Sequence, residues 1–216
     1  MRRGLALAAV LCLGACASKE PPPLLLTLPS SALQVAPAAS AASAASATPQ
    51  RTLVLRRVGL PEYLLSRRVR YRDSASSLAD WPHTWWAERL EVGVTREMTE
   101  ALRARLPGWT VCEASCVDGA AGDVVLRIDF QALDFVRGTA TPARLQALAL
   151  ADAGSGDATL WRTEQRVVID ATADTPRAHA SAIGDAVRAV ADALASRLRA
   201  TPVGRAPAAR GVKDPA

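Results

Sequence analysis

The sequence predicts an α+β domain in which a mostly antiparallel β-sheet is packed on one face by two amphipathic helices. Two segments carry apolar residues at helical spacing, and three longer segments between them have the length and pattern of strands, separated by turn residues. The predicted order is β-α-β-β-β-β-α, with both helices against the same face of the sheet. The chain has 216 residues, of which 50% are apolar, and this fits one folded domain once both ends are set aside.

The first elements precede the main body of the predicted domain. Residues 24–28 are mostly leucine and predict a short strand. Residues 29–50 are rich in Ala, Ser and Pro, with almost no charge and no periodicity, and predict a flexible tether. Residues 52–58 predict the first strand of the body, and residues 59–84 are interpreted as a long connection.

Two helices are predicted from apolar spacing and from their end signals. The first helix carries an apolar residue at every fourth position and stops at Pro107-Gly108. Its apolar positions are Leu90, Val94, Met98, Leu102 and Leu106. The second helix begins with Thr175 as N-cap and Pro176 in the first turn. Its apolar positions are Ile183, Val187, Val190, Leu194 and Leu198, with Ala182, Ala186, Ala189 and Ala193 allowing close approach to a sheet.

Four strands are predicted between the helices. Residues 109–112 form a short one. Residues 124–135 alternate apolar and polar side chains, and the phase of this alternation slips near Ala132, which predicts a β-bulge there. Glycine-containing turns then lead into residues 143–152 and 159–170, which complete an antiparallel meander.

The N-terminus carries the features of a lipoprotein signal. A basic start and the apolar residues 5–13 fit a cleaved secretory signal, because this run is shorter than a bilayer of roughly 30 Å requires. The tetrapeptide Leu-Gly-Ala-Cys that ends at Cys16 resembles a bacterial lipobox, and predicts removal of residues 1–15 and acylation of Cys16 with chains such as palmitate. The alternative is an ordinary signal peptide with an incidental cysteine. By analogy with lipoprotein sorting, Ala17 carries no aspartate retention signal, which favours the outer membrane.

Cysteine usage fits an exported protein. With Cys12 removed and Cys16 acylated, Cys112 and Cys116 remain as a closely spaced pair. In an oxidising periplasm this pair predicts a disulfide. Free thiols and a redox or metal-binding pair are the alternatives, although two thiols alone do not supply the ligands of a zinc site.

Charge and histidine content favour a non-enzymatic role. Removal of Arg2 and Arg3 lowers the formal net charge from +5 to +3, and the remaining arginines are interleaved with acids, so no nucleic-acid partner is expected. The two histidines, His83 and His179, are interpreted as surface residues, and the chain has no Gly-x-Ser-x-Gly nucleophile elbow. The sequence therefore predicts no catalytic residues, no metal and no cofactor.

Two short segments carry a family resemblance. Residues 60–64 read Leu-Pro-Glu-Tyr-Leu, and residues 86–90 read Trp-Ala-Glu-Arg-Leu at the start of the first predicted helix. With the lipobox and the leucine-rich strand, they resemble the PqiC-type lipoproteins, the auxiliary family of ABC-type intermembrane transport systems. The resemblance covers most of the chain outside residues 29–50. It departs at Leu65-Ser66, where the family carries Asp-Arg.

The resemblance implies a non-enzymatic outer-membrane lipoprotein that maintains envelope integrity by helping to move lipids between membranes. Its implied partners are a periplasmic MCE-domain protein, inner-membrane transport components and further copies of itself. The predicted partner contacts are Leu60, Pro61, Tyr63, Arg67 and Trp86. The alternatives are that Tyr63 and Leu64 only pin the loop to the core, and that the protein is a structural or assembly lipoprotein with no role in lipid transport.

The chain is accordingly divided into four predicted parts. Residues 1–15 form the signal peptide, and residues 16–51 form the lipidated N-terminus, the short strand and the tether. Residues 52–200 form the α+β domain, and residues 201–216 form a disordered tail.

Overall fold

Two helices lie side by side against one face of a mixed β-sheet. A computed structural model describes residues 21–30, 51–114, 116, 122–138 and 142–202, and within these ranges the sheet has eight strands. The strands are β1 (Leu24–Leu26), β2 (Arg51–Leu55), β3 (Arg68–Arg72), β4 (Leu78–Trp86), β5 (Trp109–Glu113), β6 (Val124–Val136), β7 (Arg144–Ser155) and β8 (Ala158–Asp170). The helices are α1 (Leu90–Arg105) and α2 (Pro176–Ala200). This arrangement confirms the predicted α+β class.

The long strand β6 organises the sheet. Along one edge it pairs antiparallel with β7, and β7 pairs antiparallel with β8, which confirms the predicted meander. Its other edge is shared: β2 pairs parallel with the first part of β6, and β3 meets its far end where Arg72 lies beside Val136. Beyond them, β5 flanks β2, while β4 and then β1 extend the sheet on the β3 side.

The predicted bulge in β6 is confirmed. The register against β7 shifts between Phe130 and Ala132. Because side chains alternate along a strand, the extra residue returns Leu133 and Phe135 to the buried face, where they are 1% and 0% exposed.

The interval from residue 59 to 84 differs from its prediction as a connection, because it contains β3 and most of β4. In β3 the arginines at 68, 70 and 72 alternate with Val69 and Tyr71, so the strand has too little apolar character to stand out. In β4 the alternation is broken at Pro82 and at His83, whose φ is 49°.

Both predicted helices are confirmed. Helix α1 ends at the C-cap Leu106, and the following turn uses Gly108 at φ 83°, a left-handed conformation that glycine adopts without strain. At the start of α2 the Thr175 hydroxyl accepts a hydrogen bond of 3.2 Å from the Ala178 N–H, with Pro176 in the first turn. Between the helices, the Arg188 guanidinium donates to the Glu97 carboxylate at 2.7 Å.

Alanine lets the helices approach the sheet closely. One side of β7 presents Ala147, Ala149, Ala151 and Ala153 to the helix layer, all at most 5% exposed. The other side of β6, β7 and β8 carries Leu150 and Val168, which are 39% and 62% exposed. We call this second side the open face; among the described residues no helix covers it.

Strand β1 is part of the folded sheet. Leu24 to Leu26 pair parallel with Thr84 to Trp86, and Leu26 and Leu28 are 6% and 4% exposed. Residues 29–50 therefore connect β1 to β2 and do not separate the N-terminus from the sheet. Apart from Pro29 and Ser30, this predicted tether lies outside the described residues, as do the signal peptide, Cys16 and residues 203–216.

Candidate functional site

Residues 60–64, here called the motif segment, bridge the gap between β2 and β3 along the edge of β6. Immediately before it, Gly59 pairs with Asp129 so closely that a Cβ would collide with the Asp129 carboxylate. Pro61 then leads into a 3-10 helix (Glu62–Leu64) with Leu64 buried. The segment is thus fixed to the sheet at both ends.

Tyr63 is held by a small polar network. Its hydroxyl donates to Asp134 Oδ1 at 2.8 Å, and Arg72 Nε donates to Asp134 Oδ2 at 3.0 Å. The Arg72 guanidinium also lies 5.6 Å from the centre of the Tyr63 ring, and Arg70 donates to the Tyr63 carbonyl at 2.8 Å. Burial and the bond to the Asp134 carboxylate raise the pKa of Tyr63 to about 12. Tyr63 therefore pins the motif segment, with its ring left half-buried.

Two grooves on the open face flank this network. One, which we call the β6 groove, has a volume of about 260 Å³ and is lined by Leu60, Pro61, Asp129, Gln131 and Leu150. The other has a volume of about 470 Å³ and is lined by Arg72, Ser74, Asp134, Val136 and Gln146. The motif segment thus forms one wall of a groove of mixed apolar and polar character.

The other two predicted contact residues lie elsewhere. Arg67 is exposed, and its guanidinium donates to the carbonyls of Trp86 at 3.2 Å and Ala87 at 2.8 Å. Trp86 is 3% exposed and packs edge-on against His179 at a centroid distance of 6.0 Å. The structure therefore joins the two sequence motifs through Arg67, with the Trp86 indole in the core.

Glu88 of the second motif lies in the turn before α1, and its carboxylate is paired with Arg96. Arg96 donates two hydrogen bonds to its carboxylate, at 2.6 and 2.8 Å. These bonds hold the pKa of Glu88 below its ordinary value.

A second surface was not predicted from the sequence. On the open face near the N-terminus, Leu25 lies directly opposite Trp85, and a cavity of about 290 Å³ is lined by Pro23, Leu25, Arg67 and Trp85. Arg68 completes this surface, with its guanidinium 5.7 Å from the Trp85 ring centre. We call these five residues the β1–β4 patch. The available signal was Trp85 beside Trp86: neighbours on a strand point to opposite faces, so one of the two had to lie outside the core.

The cysteine pair lies at the end of β5. Cys112 and Cys116 are joined by a disulfide, with their Cα atoms 5.2 Å apart. The pair lies outside the β6 groove and the β1–β4 patch, whose lining residues are other side chains.

The surface interpretation of His179 was wrong. His179 is 1% exposed, its ring stacks on Phe135 at 4.5 Å, and Nδ1 has no hydrogen-bond partner among the described residues. Burial lowers the pKa of His179 to about 3, so the imidazole is neutral and enclosed by rings. His83 is exposed, as predicted.

The described ranges hold neither a cluster of metal-ligating side chains nor a membrane-spanning helix. No group of three or more His, Cys, Asp or Glu side chains there could hold a metal ion. None of the helices in that part of the chain combines the length and apolar character needed to cross a membrane.

The α+β fold of this chain is shared with solved structures. A crystal structure of an uncharacterized protein matches 82% of this chain and 99% of its own length at 14% identity, with a TM-score of 0.63. Protein XCC0632 from Xanthomonas campestris, of the DUF330 family, matches 82% of this chain and 91% of its own at 13% identity, with a TM-score of 0.60. At these identities the likeness establishes the fold.

The family is established by a sequence model. The model of the ABC-type transport auxiliary lipoprotein component matches residues 32–195. The chain therefore belongs to the family of ABC-type transport auxiliary lipoproteins, as the resemblance predicted. A comparison with curated proteins gives no match.

Proposed function

We propose that the protein is an outer-membrane-anchored, non-enzymatic component of an MCE/ABC-type intermembrane lipid transport system that maintains envelope integrity. In this proposal it docks to a periplasmic MCE-domain protein through the β6 groove and so connects to the inner-membrane components. The observation that carries the proposal is the motif segment, which is fixed by the Tyr63–Asp134–Arg72 network as the wall of a groove on an uncovered sheet face.

The β6 groove suits a protein partner for two physical reasons. Its wall is already ordered, so binding does not incur the entropic cost of fixing a loop. Its surface combines the apolar side chains of Leu60 and Leu150 with the polar groups of Asp129 and Gln131, as interfaces between soluble partners commonly do. Arg67, which the sequence also predicted as a partner contact, lies outside the lining of this groove.

The anchoring part of the proposal rests on the lipobox at Cys16 and on Ala17 after it. Membership of a lipoprotein family supports acylation. The non-enzymatic part is supported by the state of His179, since a neutral imidazole enclosed by aromatic rings does not reach a substrate.

A matched pair of variants tests the docking surface. The full acylated chain is purified from native membranes in mild detergent, and its partners are identified by mass spectrometry. Leu150→Asp places a charge inside the β6 groove, whereas Val168→Asp places the same charge on the open face outside it. We expect the MCE protein to co-purify with the wild type and with Val168→Asp, and its recovery to fall about tenfold with Leu150→Asp.

Three results would count against this assignment. Absence of an MCE protein from the wild-type sample would favour a structural or assembly lipoprotein. Equal recovery with both variants would place the contact outside the groove. A monomeric mass for the purified chain in native mass spectrometry would count against the self-association that the family resemblance implies.

A further inference from the structure

The β1–β4 patch combines an exposed apolar centre with a cationic rim. Leu25 is 59% exposed, and its neighbour Trp85 is half-buried beside it on the open face. Arg67 and Arg68 border this pair. The Arg68 side chain is 53% exposed, and its Nε lies 3.6 Å from Asp80 Oδ2 in an ion pair. Within the described ranges Arg67 forms no ion pair, and its Nε and Nη2 donate to backbone carbonyls.

The patch lies a short distance along the chain from the predicted acylation site. Six residues lie between Cys16 and Pro23 in sequence, and the seven steps from one to the other span at most about 25 Å when fully extended. β1 is already fixed in the sheet at Leu24. An acyl chain on Cys16 therefore keeps this edge of the domain close to the membrane that holds it.

We propose that the β1–β4 patch rests on the headgroup layer of the anchoring membrane, with Leu25 and Trp85 between the headgroups and Arg67 and Arg68 on lipid phosphates. This inference rests on the proposed acylation of Cys16. Tryptophan favours the membrane interface because its ring is apolar and its N–H is polar, and arginine matches phosphate in charge and geometry. Both residue types lie here on the side of the sheet that the helices leave open.

The small size of the patch favours a membrane over a protein. A stable protein interface covers about 800 Å² on each partner, far more than one leucine and one half-buried tryptophan provide. A surface held beside a membrane by a separate anchor needs little affinity of its own, because the anchor supplies a high effective concentration. The patch thus orients the domain, while the acyl chains retain it.

Depth-dependent quenching tests the contact on the full acylated chain. A fluorophore is attached at Leu25→Cys, and the control label is placed at Val168→Cys, on the same face but at the opposite edge of the sheet, roughly 24 Å away at five strand spacings. The vesicles contain phosphatidylethanolamine, phosphatidylglycerol and a lipid with a nitroxide near the headgroup. We expect the label at 25 to be quenched about threefold more than the label at 168.

A second measurement separates contact from proximity. Adding Arg67→Gln and Trp85→Ala to the Leu25→Cys chain should reduce quenching to the level at residue 168, while the protein still floats with the vesicles through its acyl chains. Equal quenching at 25 and 168 in floating protein would overturn the membrane contact alone. Shielding of the label at 25 from aqueous iodide without nitroxide quenching would overturn it in favour of a protein or second copy on the patch. Failure of the wild type to float would instead overturn the acyl anchor on which the inference depends.

Discussion

His179 couples folding to pH because its imidazole is neutral in the core. Burial lowers its pKa to about 3, whereas the unfolded chain takes up the proton near pH 6.5. The contribution that neutral His179 makes to the free energy of unfolding is therefore fully present well above pH 6.5. It is lost as the pH falls from 6.5 towards 3, by about 1.4 kcal/mol per pH unit. Between pH 6.5 and 5 we expect the free energy of unfolding, measured by urea denaturation, to fall by roughly 2 kcal/mol.

His179→Phe should remove this dependence, since a phenyl ring can take the same place between Phe135 and Trp86. His83→Asn, which removes the exposed imidazole, is the matched control and should retain the slope. An unchanged slope in His179→Phe would mean that another group carries the pH dependence.

Tyr63 combines a structural contact with a half-exposed ring, and its hydroxyl can be tested separately. Tyr63→Phe removes the bond to Asp134, which Arg72 still satisfies at 3.0 Å, so we expect a loss of about 1 kcal/mol of unfolding free energy. Tyr71→Phe is the control, because the Tyr71 hydroxyl only accepts a long, exposed bond of 3.4 Å from Arg137. If urea denaturation gives equal losses for the two variants, the Asp134 bond does not pin the motif segment.

Strand β7 depends on alanine for its packing against α2. Ala151 is 2% exposed on the helix side, so Ala151→Leu forces extra volume into a filled layer and should cost about 1–3 kcal/mol. Gln146 lies on the other side of the same strand, and Gln146→Leu replaces it with a side chain of similar size. This control should change the free energy of unfolding by less than about 0.5 kcal/mol. A larger loss for Gln146→Leu in thermal unfolding would contradict the assignment of the open face.

Elements whose side chains differ clearly between their two faces could be predicted from sequence. Both helices and the strands of the meander bury one face and expose the other, so the spacing of their apolar residues predicts their type. The slip in that spacing likewise predicts the β6 bulge. Strands β3 and β4 could not be predicted in this way. The three arginines of β3 are each paired with a carboxylate, Arg68 and Arg70 with Asp80 on β4 and Arg72 with Asp134 on β6. The exposed face of β3 is therefore charged, and alternation of single apolar residues with arginine does not mark a strand clearly.

The candidate site was predictable to a similar extent. The proline and tyrosine of the motif segment indicated a candidate contact surface, and Leu60 and Pro61 line the wall of a groove in the structure. Leu25 joins Trp85 only because β1 pairs with β4 across a wide sequence interval, and short-range patterns do not encode that pairing. His179 was misplaced because its helix position lies between alanines, whose small side chains do not mark a buried stripe.

At the scale of the whole molecule, β1 determines how the predicted anchor at Cys16 would be connected to the domain. Because β1 precedes residues 29–50 and already lies in the sheet, their length does not set the distance between the anchor and the domain. If Cys16 is acylated, that distance depends on the few residues before β1, the last of which are Pro21, Pro22 and Pro23. The β1–β4 patch and the β6 groove both lie on the open face of the sheet, and the helices cover the opposite face.

The predicted anchor itself is open to a direct test with two cysteine variants. The thiol of Cys16 is the predicted acyl acceptor, whereas Cys12 lies in the apolar run that is removed. Cys16→Ser should therefore abolish palmitate labelling, and Cys12→Ser should leave it unchanged. Density-gradient fractionation should then place the wild type and Cys12→Ser in outer-membrane fractions. Labelling of Cys16→Ser would contradict acylation at this residue, and a labelled wild type at inner-membrane density would contradict the outer-membrane location while leaving the anchor intact.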